Sequence, residues 1–386
     1  MPRSPHHPSR NAPTRSSDRP VSTGCGCSTA DRCSPRSSPR SISGRPRSTP
    51  PVPCRLGRMD TPLATDLAGI RLRNPVLLAA GTAGTLDEMA DVLDLDRVGA
   101  VVTKSITPEP RAGNPPMRVA PVKAGMLNAV GLANVGIDHF IEYVAPRIAA
   151  TPTTVIGSAA GFSIDDYVRI AAEMDEIEAM PAVELNVSCP NVSHGVEFGA
   201  DPALLAELVR AVRAVLTRTR LIVKLPPVSV GTPHTIVDLA RAAIEPGGTP
   251  AGPNSRPGAD ALTLCNTTPG MAIDVRTRRP LLGNTTGGLS GPAVHNIVVR
   301  LVHLTHTAIA RDTGTPIIGA GGVMRWDDAA ELILAGASAV QIGTALFADP
   351  AAPIRVARGL QKWVRTQDAG SLADLVGAVR RPLDGM

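Results

Sequence analysis

No stretch of the sequence approaches the roughly 18 consecutive uncharged apolar residues that a membrane-spanning helix needs. The N-terminus also lacks the apolar segment of a secretory signal, so a soluble cytoplasmic protein is expected. Cysteine is scarce where a core could form. Cys25, Cys27, Cys33 and Cys54 fall in the first 58 residues, leaving Cys189 and Cys265 for the rest of the chain. Two cysteines exclude a disulfide framework, fit a reducing compartment, and are too few for an iron–sulfur cluster held by four thiolates. A zinc site at Cys25, Cys27 and Cys33 lacks a fourth ligand at finger-like spacing, since His6 and His7 lie in the same polar arm, so no metal is expected.

Those 58 residues also lack aromatics, Lys and Glu, and hold 11 Arg, 12 Ser and 11 Pro. Such a segment cannot bury enough surface to offset its chain entropy, so 1–58 is expected to be a disordered extension and 59–386 the folded domain. The arm carries +9 and the remaining 328 residues carry −4, so the basic isoelectric point of the whole belongs to the arm. Arg without interleaved aromatics is a weak nucleic-acid signal, and a body of net −4 advertises no RNA surface. A solvated tail, or an extension upstream of a start at Met59, is favoured over an RNA-binding or targeting arm.

From Pro75 onward, eight short apolar runs alternate with amphipathic stretches. Strands are expected at 76–80, 100–104, 153–158, 182–186, 221–224, 261–264, 316–320 and 339–342, each near-continuously apolar as in a buried parallel sheet. Helices fit between them, for example at 202–216 and 293–310. Eight βα units over a span close to the ~250 residues of a (βα)8 TIM barrel predict that α/β fold. A doubly wound sheet is the alternative, but no strand is followed by a dinucleotide-binding glycine fingerprint. Two long connections, 107–138 and 269–291, follow C-terminal strand ends, where barrel enzymes build sites and lids. A Gly- and Pro-rich insertion at 245–258 belongs to the opposite face and is expected as a surface loop.

Every expected strand ends in glycine or a polar residue: AAGT (79–82), TKS (103–105), GSAAG (157–161), ELNVSCPN (184–191), VKLPP (223–227), LCNTT (264–268), GAGG (319–322) and QIGT (341–344). One such ending means little, whereas eight around one barrel mouth form a site. GAGG alone is a common tight turn; paired with Gly343 and Thr344 one strand later it suits a phosphate held by backbone N–H groups. Lys104 and Lys224 end apolar strands, where each either faces an anion or electron-rich ring, or extends its ammonium to water. Cys189, among polar neighbours at the start of the fourth βα loop, reads as a nucleophile or base rather than an inert core thiol. His194 is too displaced in the motif for a hydrolase dyad, and a Cys–His hydrolase would leave the phosphate site and both lysines without a role.

Residues 60 to about 360 resemble the catalytic, FMN-containing subunit of the dihydroorotate dehydrogenases, of the cytosolic class with a cysteine base. The resemblance rests on TKSITPEPRAGNPPMR (103–118), GMLNAVGLANVGID (125–138), ELNVSCPNVSHG (184–195), LCNTTPGMAIDVRTRRPLLGNTTGGLSGPA (264–293), GAGGV (319–323) and LAGASAVQIGTALF (334–347). Within the 264–293 segment, GMAIDVRTRRP (270–280) with GNTTGGLSGPA (283–293) is most similar to the NAD-linked class, whose catalytic subunit joins an FAD- and 2Fe–2S-carrying subunit in a heterotetramer. The resemblance implies oxidation of dihydroorotate to orotate in pyrimidine synthesis, with Cys189 taking the C5 proton and FMN the C6 hydride. It implies substrate contacts from Lys104, Asn128, Ala129, Val130, Gly131, Leu132, Asn186, Asn191, Asn266 and Thr267. It places the FMN phosphate on the amides of Gly321, Gly322, Gly343 and Thr344. Thr82, Lys104, Ser105, Ser158, Asn186, Lys224, Cys265 and Gly291 would line the rest of the flavin. His194 is taken as loop structure, and Cys265 stands where an aliphatic residue is usual. A fumarate-linked enzyme, and a barrel that binds FMN or RNA without turnover, remain as alternatives.

Overall fold

Eight short apolar runs pair in chain order into a closed parallel barrel: Val76–Leu78, Ala100–Ile106, Thr154–Ala159, Ala182–Asn186, Arg220–Leu225, Ala261–Leu264, Ile317–Ala320 and Ala339–Ile342. They are called strands one to eight below. Strand eight closes the ring against strand one, with Val340 opposite Val76 and Ile342 opposite Leu78. The computed structural model describes residues 61–188, 197–227, 233–247 and 257–380, all within the unit Cys54–Met386. The arm, the 248–256 portion of the expected surface insertion, and Cys189, Asn191 and His194 lie outside the described residues.

The (βα)8 barrel is thus the observed fold, and the strands fall within one or two residues of the expected runs at most ends. Strand one is shorter, and strand two runs on to Ile106. Outer helices cover the ring because their apolar positions recur on one face. Helix Pro202–Val215 buries Leu205, Leu208, Val209 and Val212, and it begins where the Asp201 side chain accepts the N–H groups of Ala203 and Leu204. Ser163 with Asp166, and Thr235 with Asp238, form reciprocal caps that start the helices Ile164–Asp175 and Ile236–Ile244. The expected helix at 293–310 begins as a tight turn at Pro292–Val294, continues as His295–Thr305, and widens at His306–Ala310.

Two features differ from the sequence expectations. A small hairpin, Thr65–Leu67 with Ile70–Leu72, precedes strand one and closes the barrel's N-terminal end. Its Leu67, Ile70 and Leu72 pack on the inward residues Leu77, Val102, Ile156, Ile222 and Ile318. The alternation of buried and exposed residues in TDLAGIRL was the available signal. The second difference is at the mouth, where the two long connections are not separate loops. Val119–Val122, Gly125–Asn128, Gly287–Ser290 and Thr268–Gly270 pair antiparallel into one four-stranded sheet. Its two halves come from the connections after strands two and six, which stand opposite each other in the ring.

Candidate functional site

Below that sheet, the C-terminal ends of the strands surround a cleft of about 740 Å³. Its walls include Thr82, Lys104, Ser105, Asn128, Ala129, Val130, Gly131, Leu132, Asn186, Lys224, Cys265, Asn266, Thr267, Gly291, Gly321, Gly322, Gly343 and Thr344. The described residues singled out from the sequence therefore meet in one cavity, with one exception. Ser158 is fully buried and is not on the cleft wall; its Oγ lies 2.9 Å from that of Ser105, which is. The register shift in strand two between Val102 and Ser105 sets these two serines opposite each other.

One side of the cleft is a chain of amides and hydroxyls. Asn266 Nδ2 donates to Asn186 Oδ1 at 3.0 Å and to Ser188 Oγ at 2.9 Å, and Asn186 Nδ2 reaches Ser105 Oγ at 3.4 Å. The Asn186 carbonyl is held by Tyr167 Oη at 2.7 Å, and the Asn266 Oδ1 accepts the Thr267 N–H at 2.8 Å. Such mutual bonding fixes side chains that would otherwise rotate, leaving the remaining lone pairs and N–H groups for a polar ring. Ser188 carries the chain directly into Cys189.

The Lys104 ammonium makes no hydrogen bond or ion pair among the described residues. Burial, and then the nearby Arg118 guanidinium, hold its pKa below the ordinary lysine value. An unpaired, partly desolvated ammonium in a polar cleft suits an anion. Gly81 lines the wall beside it with φ +85°, and a Cβ there would stand 3.4 Å from Lys104 Nζ.

On the other side, the backbone N–H groups of Gly321, Gly322, Gly343 and Thr344 have no acceptor among the described residues. Gly322 has φ +70°, and a Cβ on it would come within 2.6 Å of His295 Cβ. Only glycine lets this turn lie flat on the helix behind it. His295 braces the turn, with Nδ1 3.1 Å from the Gly321 carbonyl and Nε2 2.9 Å from Glu331 Oε2. Adjacent free amides from two neighbouring strands make a cradle for a phosphate. The Thr344 hydroxyl donates to Ser290 Oγ at 2.7 Å, tying this cradle to the sheet above the mouth.

Between the two sides lie Lys224 and Cys265. Burial pushes the Cys265 thiol up to about 12, against the opposing effect of Lys224, so this cysteine remains a neutral, packed thiol. Sequence reasoning missed Gln341, Arg111, Phe162 and Glu197 on the wall, and the fully buried Glu184 beneath it. Arg111 stacks over the Phe162 ring at 4.7 Å, a contact between loops that no local pattern announces. The described residues contain no cluster able to hold a metal ion and no helix long and apolar enough to cross a membrane.

Comparison with known proteins agrees with this geometry. A family model described as dihydroorotate dehydrogenase matches residues 62–364. The chain is 42% identical over 322 residues to the "Dihydroorotate dehydrogenase B (NAD(+)), catalytic subunit" of Trichlorobacter lovleyi, covering 83% of this chain and 99% of that protein. The protein of the same name from Desulforudis audaxviator is 44% identical over 324 residues, 84% of this chain and 99% of its own. That of Bacteroides thetaiotaomicron is 42% identical over 318 residues, 82% and 98% of the two chains.

Proposed function

Because the chain belongs to the dihydroorotate dehydrogenase family, we propose that it oxidises dihydroorotate to orotate in pyrimidine synthesis, as an FMN-dependent catalytic subunit acting in the cytoplasm. The observation that carries this reading is the division of the cleft. One side offers a free ammonium and a fixed amide chain, suited to a carboxylate-bearing pyrimidine, and the other offers four free amides suited to a phosphate. Between them, Lys224 supplies a positive charge and Thr82, Ser105, Asn186, Cys265 and Gly291 supply walls. These residues fit FMN, which when bound would accept the hydride from C6.

The protein's own part is to bind, orient and take a proton. Lys104 meets the substrate carboxylate, while Asn128 to Leu132, Asn186, Asn191, Asn266 and Thr267 hold the ring edges. Cys189 takes the C5 proton as the C5=C6 double bond forms; the support is its sequence position, one residue past Ser188 on the wall. The amides of 321, 322, 343 and 344 hold the FMN phosphate, and Lys224 stabilises negative charge on the reduced ring. Ser158 backs Ser105 rather than facing the ligand.

The relatives are named catalytic subunits of an NAD(+) enzyme, which supports a partner subunit carrying FAD and a 2Fe–2S cluster, assembled with this chain as a heterotetramer, for passing the electrons to NAD. Purified protein should be yellow and should bleach on anaerobic addition of dihydroorotate. NAD reduction should be slow until the partner subunit is added. Rapid NAD reduction by this chain alone would overturn the two-subunit reading, and turnover with fumarate in place of NAD would assign the fumarate-linked class.

A further inference from the structure

The cleft floor hides an acid that the reaction above does not use. Glu184, on strand four, is 0% exposed and does not line the cleft. Its Oε2 accepts hydrogen bonds from Thr263 Oγ1 at 2.7 Å and Gln341 Nε2 at 2.6 Å. Its Oε1 has no hydrogen-bond partner among the described residues, and Lys224 Nζ stands 3.9 Å from it. Lys224 Nζ in turn donates to Gln341 Oε1 at 3.2 Å. Lysine can only donate, so this bond fixes the Gln341 amide with its oxygen towards Lys224 and its NH2 towards Glu184. Two donors on one oxygen and an ammonium near the other are the surroundings of a carboxylate anion.

Packing alone does not call for this acid. Two residues earlier along the same strands, the inward positions are Ala182, Ile222, Ala261 and Ala339, all buried and apolar. A buried ion pair is no more stabilising than apolar residues that fill the same space. What the arrangement does is place one negative charge directly behind the Lys224 ammonium, whose own flank, with Gln341, faces the cleft.

We propose that Glu184 is a positioning residue that sets how much positive charge Lys224 presents to the bound flavin, and thereby sets the flavin's reduction potential. The inference rests on the flavin reading given above. An ammonium with no counter-charge favours the reduced, negatively charged ring strongly. A carboxylate behind it offsets that preference and keeps the potential low enough for electrons to leave again.

The test is a redox titration of the protein with its flavin bound. Glu184→Gln keeps the shape and an oxygen for Thr263 and Gln341 while removing the charge. Its flavin content should be normal, and its preference for reduced over oxidised flavin should rise about 10- to 100-fold, a potential about 30 to 60 mV higher for a two-electron couple. Glu184→Asp keeps the charge, so its potential should stay near the wild-type value even where its melting temperature falls. If Glu184→Gln does not retain flavin, Thr263→Val serves instead. It strips one donor from Oε2, leaving the carboxylate charge less neutralised behind Lys224, and should lower the potential by a smaller amount. An unmoved potential in Glu184→Gln, or in Thr263→Val where Glu184→Gln loses its flavin, overturns the proposal. A wild-type protein that binds no flavin would overturn the functional reading and this inference with it. Wild type that bleaches with dihydroorotate, beside a Glu184→Gln variant of unchanged potential, removes the inference alone.

Discussion

Where the barrel strands begin, Leu67, Ile70 and Leu72 of the leading hairpin close on inward-facing Leu77, Val102, Ile156, Ile222 and Ile318. Two residues further along those strands the inward positions become Lys104, Ser158 and Lys224, and on neighbouring strands Ala182 gives way to Glu184, Ala261 to Thr263 and Ala339 to Gln341. A single step of the strand's two-residue period makes six of the eight inward positions polar or charged, with Ala79 and Ala320 staying apolar. The floor needs only complementary volume. The mouth needs particular atoms at particular places, and the burial of charge there costs stability that the floor and the outer helices offset.

That contrast predicts different consequences for damage at the two ends. The largest effect is expected at the mouth from Cys189→Ser, which replaces a thiol of pKa ~8.5 with a hydroxyl far more reluctant to ionise. Flavin content and melting temperature should stay the same. Reduction of the bound flavin, followed by anaerobic stopped flow, should slow by roughly 10² to 10⁴-fold, about 3 to 5 kcal/mol in the barrier. A variant that reduces its flavin at the wild-type rate near neutral pH removes Cys189 from the reaction.

At the floor, Leu72→Ala opens a cavity under the ring and should lower unfolding free energy by about 2 to 5 kcal/mol. The surviving folded fraction should reduce its flavin at the normal rate. Denaturant unfolding measured beside stopped-flow reduction would sharpen the contrast, and a loss of rate without a loss of stability would break it.

Lys104→Ala should act on binding, raising the dihydroorotate KM as its charge-assisted contact to the substrate carboxylate is lost, about 1.5 to 3 kcal/mol. In the wild type, burial and then Arg118 hold the Lys104 pKa below normal. Its proton is therefore lost at a lower pH than from a free lysine, and orotate binding should weaken as pH rises through that lowered value. Arg118→Gln should move this loss to higher pH. An orotate affinity that stays flat through the alkaline range in wild type would contradict the assignment.

The smallest effect is expected from Asp175, at the end of helix Ile164–Asp175 that leads back towards the floor. Burial pushes its carboxyl up, but hydrogen bonds from Thr217 and Thr219 outweigh it and bring the pKa down to about 2. A carboxylate with a depressed folded pKa adds stability above its unfolded pKa near 3.8 and loses it as pH falls towards 2. Acid unfolding curves should show Asp175→Asn to be less stable than wild type by on the order of 2 kcal/mol at pH 6, with the gap narrowing below pH 4.

The barrel was legible because each strand is a continuous apolar run whose identity needs no partner to recognise. The floor hairpin was not, since strands of three residues such as Thr65–Leu67 carry too few positions for alternation to stand out. The sheet over the mouth escaped for another reason: Asn128 and Gly288 are bonded at 3.2 Å across 160 residues of sequence. On the wall, polar strand ends announced Lys104, Asn186, Asn266 and the free amides. Glu184 and Gln341 stood in the same polar strand ends but were given no role, because they meet only once strands four and eight face each other across the closed barrel. Cys189 and Asn191 were legible only as sequence, and they lie outside the described residues.

The sheet at the mouth has a bearing on traffic. Its strands spring from the connections after strands two and six, on opposite sides of an eight-membered ring, so it crosses the opening as a beam crosses a well. Beneath it, the amides of 321, 322, 343 and 344 and the bonded pair Asn186 and Asn266 line different parts of one cleft. A small ring seated against Asn186 and Asn266 would not compete for the amides that suit a phosphate, so turnover would not require a phosphate-bearing guest to leave.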